Sequence, residues 1–227
     1  MAHTNSRRIL VFLISLCFVF GQDWADLNRY RNANLQIGPP TTGEKRVVFM
    51  GNSITESWAT LSPDFFSKNN FICRGISGQT SPQMLLRFRP DVIDLKPRVV
   101  VILSGTNDIA ENTGPISLES ILGNITSMAE LSRANSITVV LASVLPAKGF
   151  RWRPDLEPAQ RIIALNKMIE AYSGREGFIY LDYHTSMVDE RGGLKVEFTQ
   201  DGVHPNKAGY DHMEKLAKKA IKKALFN

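Results

Sequence analysis

Five consecutive residues, Val99-Val100-Val101-Ile102-Leu103, restrict the fold of this chain more than any other stretch. The run is apolar without alternation and mostly β-branched, so a strand made from it has no face to offer to water. Such a strand belongs inside a parallel sheet that is covered on both sides. Residues 46–50, 71–74, 137–142 and 178–181 also read as strands. Between them lie helical stripes. Residues 82–95 carry Met84, Leu85, Phe88, Val92 and Ile93 on one side. A helix capped by Ser117 runs to about Arg133 with Ile121, Ile125, Met128 and Ala129, and residues 157–172 carry Ile162, Ile163, Leu165 and Ile169. A short helix follows the first strand over residues 54–61. Strands alternating with such helices predict an α/β fold, a three-layer α/β/α arrangement around a central parallel five-stranded sheet.

The N-terminus follows a different pattern. Arg7 and Arg8 precede an unbroken apolar run over residues 9–20, too short to span a bilayer comfortably. Val19 and Gly21 have the small side chains a signal-peptide cleavage site uses. Residues 1–21 therefore read as a signal peptide removed near Gln22, which places the mature protein in a secreted or periplasmic location with no stable membrane insertion after cleavage. An uncleaved anchor is the alternative. Lipid attachment at Cys17 fits less well, because Leu16 before it is not small. Residues 22–44, polar and ending in Gly38-Pro39-Pro40, read as a surface lead-in to a single domain over residues 45–227.

That domain must be held by packing. Cys73 is the only cysteine after the apolar run, so the mature chain has no intrachain disulfide. The formal charge is +5; removing Arg7 and Arg8 leaves +3, and setting aside Lys215, Lys218, Lys219, Lys222 and Lys223 leaves −2. Those lysines share one helix with a core-facing stripe that includes Met213, Leu216, Ala220 and Ala224. A body of that charge speaks against a nucleic-acid surface. No His, Cys or Asp grouping has metal-ligand spacing, so neither a metal nor a cofactor is expected.

Chemically suggestive residues collect at the ends of successive strands. Gly51-Asn52-Ser53 follows the first, Gly75-Ile76-Ser77-Gly78 the second and Gly105-Thr106-Asn107-Asp108 the third. Asp201-Gly202-Val203-His204-Pro205 stands just before the last helix. A parallel sheet puts the ends of its strands on one edge, so these loops meet. Ser53, at a strand-to-helix turn, is placed for a nucleophile; it is also an ordinary helix N-cap, and that stretch alone favours the cap. Each other loop is acceptable as turn chemistry by itself. Together they supply a nucleophile, an imidazole base, an orienting acid three residues before it, and hydrogen-bond donors, which is the set acyl transfer requires.

In that order these motifs resemble the SGNH hydrolases, also called GDSL-like esterases, and within them the platelet-activating-factor acetylhydrolase-like and bacterial carbohydrate esterase branch. The resemblance implies a flavodoxin-like fold and a catalytic set of Ser53, His204 and Asp201. It also implies an oxyanion hole made by the backbone N–H groups of Ser53 and Gly78 and the side-chain amide of Asn107. Asn52 stands where the family signature has Asp, which keeps the size and loses a charge. The implied function is a secreted serine esterase that removes short acyl groups, most plausibly acetyl, from a carbohydrate or other small polar ester through an acyl-enzyme. Lysophospholipase or thioesterase activity, or a non-catalytic carbohydrate-binding role on the same fold, are the alternatives.

The loop after the fourth strand is long and contains Arg151, Trp152 and Arg153. These either wall the substrate site or pack. His3, His184 and His212 lack matching partners, and His212 reads as a surface residue of the last helix. Cys73 reads as a small apolar filler of its strand, and Asp189 and Glu190 as a solvated turn. Asp108 fits a supporting role or a turn equally. Oligomeric state is not legible.

Overall fold

The computed structural model describes residues 23–226, so the expected signal peptide lies outside the described residues. Five strands, β1 (Val47–Gly51), β2 (Phe71–Gly75), β3 (Val99–Ile102), β4 (Thr138–Ala142) and β5 (Ile179–Leu181), form one parallel sheet in the order β2-β1-β3-β4-β5. Val48 lies between Ile72 and Val100, and Val100 in turn pairs with Val139. The continuous apolar runs are explained by this placement. Val47, Phe49, Val99 and Val101 face one side of the sheet, while Val48, Met50, Val100 and Ile102 face the other, and all eight are buried.

The first side is covered by α2 (Ser53–Leu61), α3 (Pro63–Ser67) and α9 (Lys207–Phe226). There Phe49 makes edge contacts with Trp58, Phe65 and Phe66. The second side is covered by α4 (Ser81–Asp91), α6 (Leu118–Ala134) and α7 (Ala159–Glu176). Three shorter helices complete the set: α1 (Arg31–Ile37), α5 (Thr106–Ile109) and α8 (His184–Met187). From β1 the chain steps outward to β2, then crosses back to β3 on β1's other flank. The crevice at the carboxyl ends of β1 and β3 is therefore the switch point where open α/β sheets bind ligands.

Helix ends depart from the expected ones for identifiable reasons. The helix expected over 82–95 stops at Asp91, where Val92 leaves helical geometry at φ −130°, and the chain continues as a 3₁₀ turn at Ile93–Leu95. The helix expected over 157–172 starts at Ala159, since Pro158 keeps Glu157 out of helical geometry. It then runs on to Glu176, where Gly177 at φ +72° ends it. Ser117 caps α6 as expected, its Oγ accepting from Ser120 N–H at 3.1 Å.

The lead-in is more than a surface strap. It contains α1, and its bonds reach inward. Tyr30 donates its hydroxyl to the Gly75 carbonyl, and Asn34 accepts from the Arg74 guanidinium while donating to Asp91. Ala25 is buried, and its carbonyl accepts from Gln79 Nε2 at 2.7 Å.

Candidate active site

Ser53 is the first residue of α2, directly beyond the end of β1. It is not the cap of that helix. Asn52 is, its buried Oδ1 accepting from Ile54 N–H at 3.1 Å. An Asx side chain one residue ahead thus satisfies a helix-end donor and leaves the serine hydroxyl unclaimed by the backbone. That task needs an acceptor oxygen, which amide and carboxylate both possess, so the change from Asp to Asn in the family signature preserves it. α2 also lies very close to the end of β2. A Cβ on Gly75 would stand 2.3 Å from Glu56 N, so only glycine lets the two elements meet.

The hydroxyl is taken by a histidine 151 residues away. Ser53 Oγ lies 2.9 Å from His204 Nε2, and His204 Nδ1 lies 2.7 Å from Asp201 Oδ2. A carboxylate only accepts, so Nδ1 carries the proton and the Nε2 lone pair faces the serine. Asp201 is itself fixed, since its Oδ1 accepts from the N–H groups of Val203 (2.9 Å) and His204 (2.8 Å). Thr199 closes the turn, donating to the His204 carbonyl and accepting from Gly202 N–H. Partial burial pushes the Asp201 carboxyl up. The bonds from the His204 ring and from the two backbone N–H groups outweigh it and hold the group at about 2. Asp201 is therefore an anion at neutral pH.

The loop after β2 carries the expected donor at Gly78, whose φ is +78° and whose missing Cβ would point into open space. Its neighbours hold it on several sides. Ser77 N–H donates to Glu56 Oε2 at 2.9 Å, and Glu56 is further held by Arg29 at 2.7 Å. Asn112 Nδ2 donates to the Gly78 carbonyl at 3.2 Å. Asn107, in α5 beyond β3, donates from Nδ2 to the Gln79 carbonyl at 2.9 Å. That bond fixes the amide plane and leaves the second hydrogen of the same nitrogen for another acceptor. Gln79 is also bound through its side chain by Arg87, whose guanidinium reaches the Gly51 carbonyl (2.8 Å) and Asp91 (2.9 Å). Arg87 is fully buried. A single buried cation thus joins the strand end before Ser53 to the loop that carries Gly78.

Asp108 has a supporting role of its own. Its buried carboxylate accepts from Ser81 N–H, at 2.9 and 3.0 Å to its two oxygens, and so anchors the first turn of α4 beside Asn107. Burial raises its pKa against those bonds. Cys73 donates Sγ–H to the Thr55 carbonyl at 3.3 Å, and burial pushes its thiol up to about 11, far from thiolate reactivity. His212 is not a bare surface residue. Its Nε2 lies 2.7 Å from Ser186 Oγ and its ring stacks on Phe198. His184 N–H donates to Ser143 Oγ, and Asp189 accepts two backbone N–H groups in its turn.

Two clefts lie at this edge of the sheet, one beside Gly78 and one beside His204. One, of about 560 Å³, is walled by Gly78, Gln79, Asn112, Thr113, Trp152 and Arg153. Trp152 Nε1–H donates to Asn112 Oδ1 at 2.9 Å, so the loop after β4 is stapled to the residue that holds Gly78. Arg153 is committed to Glu111 (3.1 Å), Asp155 (3.0 Å) and the Ala110 carbonyl (3.2 Å). The other cleft, of about 640 Å³, contains Arg151 together with Asp201 and His204. A larger cavity of about 1210 Å³ between the lead-in and α4 contains none of the Ser53, His204 and Asp201 set, and of the three cavities only the 640 Å³ cleft includes any of them, Asp201 and His204. Asn112, Glu56, Gln79 and Arg87 had escaped sequence reasoning, because each acts through a partner far along the chain.

Residues 49–212 match the GDSL-like Lipase/Acylhydrolase family. The chain is similar to the crystal structure of a GDSL-like lipase from Bacteroides thetaiotaomicron VPI-5482, with 53% identity, 88% of this chain and 99% of that chain covered, and a TM-score of 0.87. It is 27% identical over 171 residues to Esterase TesA of Pseudomonas aeruginosa, covering 72% of this chain and 77% of that protein. It is 37% identical over 124 residues to the uncharacterized lipoprotein YqeF of Bacillus subtilis, 53% of this chain but only 42% of that longer protein. An acetyl xylan esterase, AlAXEase, shares the fold at 20% identity, a TM-score of 0.66 and coverage of 77% of this chain and 98% of that one.

Proposed function

We propose that this chain, which belongs to the GDSL-like lipase/acylhydrolase family and is a carboxylic ester hydrolase, removes short acyl groups, acetyl first among them, from a carbohydrate or similar polar alcohol. One observation carries the reading: the unbroken hydrogen-bonded line from Ser53 Oγ through His204 to Asp201. In the reaction it supports, His204 Nε2 takes the Ser53 proton as Oγ bonds to the ester carbonyl carbon. The carbonyl electrons move to oxygen, and that oxyanion is met by the N–H groups of Ser53 and Gly78 and by the Asn107 amide. Collapse breaks the bond to the alcohol oxygen, which leaves with the proton from His204. Water, deprotonated by the same imidazole, then hydrolyses the acyl-Ser53. Asp201 remains an anion throughout and stabilises the imidazolium.

The short acyl group is supported by the fold shared with an acetyl xylan esterase. Action outside the cytoplasm is supported by the basic and then apolar N-terminal residues and by the lipoprotein relative. Among the described residues, no helix is long and apolar enough to cross a membrane.

The test compares hydrolysis of 4-nitrophenyl acetate with that of the octanoate and palmitate esters. The reading expects the acetate to be cleaved with the highest kcat/KM, and a fluorophosphonate to label Ser53. A preference for palmitate overturns the short-acyl assignment, and labelling at any other residue overturns the nucleophile.

A further inference from the structure

The cleft beside Gly78 and the cleft beside His204 differ in the state of their arginines. Arg153, in the cleft next to Gly78, has its charge matched by Glu111 and Asp155. Arg151, two residues earlier and in the opposite cleft, is exposed, and among the described residues its guanidinium makes no hydrogen bond or ion pair. The acid that shares its cleft, Asp201, is already held by the His204 ring and two backbone N–H groups. Lys207 adds a second cation there, paired with Asp211 one helical turn on. Gln200 and Asn206 complete a polar wall.

Reaction geometry decides which half of the substrate meets this charge. The alcohol oxygen can depart only where His204 Nε2 can protonate it, so the alcohol half lies on the His204 side. The oxyanion points at Gly78 and Asn107, on the other side. The unmatched cation therefore faces the alcohol.

Resting on the esterase reading above, we propose that the cleft lined by His204, Arg151 and Lys207 is a subsite for an alcohol bearing a carboxylate, and that the substrate is an acetylated acidic oligosaccharide containing uronosyl residues. A guanidinium pairs with a carboxylate through two parallel N–H···O bonds, a geometry that a neutral pentose or hexose cannot offer.

The experiment measures kcat/KM on acetylated galacturonide oligosaccharides and on neutral acetylated xylo-oligosaccharides, with 4-nitrophenyl acetate run in parallel on the wild type. The expected result is a preference of about tenfold for the acidic substrate, carried mainly by KM and shrinking as NaCl is raised. Arg151→Gln should abolish most of that preference, Arg151→Lys should keep part of it, and Arg151→Glu should reverse it. Cleavage of 4-nitrophenyl acetate with equal use of both oligosaccharides, or a preference that survives Arg151→Glu, overturns the subsite and leaves the esterase reading standing. Failure to cleave 4-nitrophenyl acetate at all overturns the esterase reading itself.

Discussion

The loop after β2 and the loop after β4 both reach the active edge, and they are built in opposite ways. In the first, Ser77 is held by Glu56, the Gly78 carbonyl by Asn112, and Gln79 by Asn107, Arg87 and Ala25. Nearly every polar group has a partner inside the protein, so donors are aimed before any ester arrives. In the second, Trp152 is tied by its indole N–H yet remains 44% exposed, and Arg151 has no partner among the described residues. Fixed groups suit the charge that develops in every turnover. Uncommitted groups suit the part of the substrate that distinguishes one ester from another.

The comparison breaks most completely at the fixed centre. Ser53→Ala or His204→Ala should lower kcat by ~10⁴–10⁶, with the double variant little worse than either, because the pair acts as a unit. The melting temperature should stay within a few degrees, since Ser53 does not cap its helix. A Ser53→Ala enzyme that keeps most of its kcat rules out the serine mechanism.

The next effect belongs to the oxyanion donors. Asn107→Ala should cost ~10²–10³ in kcat with KM nearly unchanged, and Asn107→Asp should be worse, because it sets a negative charge against the developing oxyanion. Were Asn107 only a turn residue, both variants would lose stability and keep kcat. Measuring kcat and melting temperature on the same samples separates the two.

A smaller effect tests whether the two loops are coupled. Asn112→Ala frees the Gly78 carbonyl and should lower kcat by about tenfold, below the ~10²-fold that a full 1 Å misplacement causes. Trp152→Phe, which removes only the N–H to Asn112, should show a weaker drop of the same kind. Unchanged kcat in both variants would mean that the staple between the loops leaves the donor where it was.

The smallest effects are in pH. For stability the sign follows from Asp201. Its folded pKa, about 2, lies below the unfolded value of ~3.9, so its contribution is complete above the unfolded value and is lost as pH falls through the folded one. The gap in melting temperature between wild type and Asp201→Asn should therefore narrow between pH ~4 and ~2. A gap that stays constant over that window removes the ion pair from the stability of the turn.

What could be read before the structure was the part written in local pattern. Val99 to Leu103 named the centre of the sheet because burial on both faces leaves no room for polar residues. The loops that carry Ser53, Gly78, Asn107, Asp201 and His204 stood out because strand ends in a parallel sheet converge, and the resemblance to the SGNH hydrolases picked those five residues out of them. What was hidden depends on partners distant in sequence. Arg87 sits in a helix, where a charged side chain reads as surface, and its burial makes sense only once Gly51, Gln79 and Asp91 surround it. α1 has no apolar stripe to announce it, and Leu35 on it is exposed. The capping role of Asn52 was masked because Ser53 was as good a candidate.

The bonds of the lead-in carry a consequence for how the enzyme comes into being. Ala25 is 54 residues from Gln79, Tyr30 is 45 from Gly75, and Arg29 is 27 from Glu56. The portion of the domain synthesised first must therefore wait for β2 and α4 before it can dock, and closing such loops carries an entropic cost that local helix formation does not. The loop that carries Gly78 therefore takes its final shape only once these long-range contacts close. In refolding, recovery of ester hydrolysis should lag behind recovery of helical circular dichroism, because helices form from local contacts whereas the Ser53–His204 pair must join residues 151 apart.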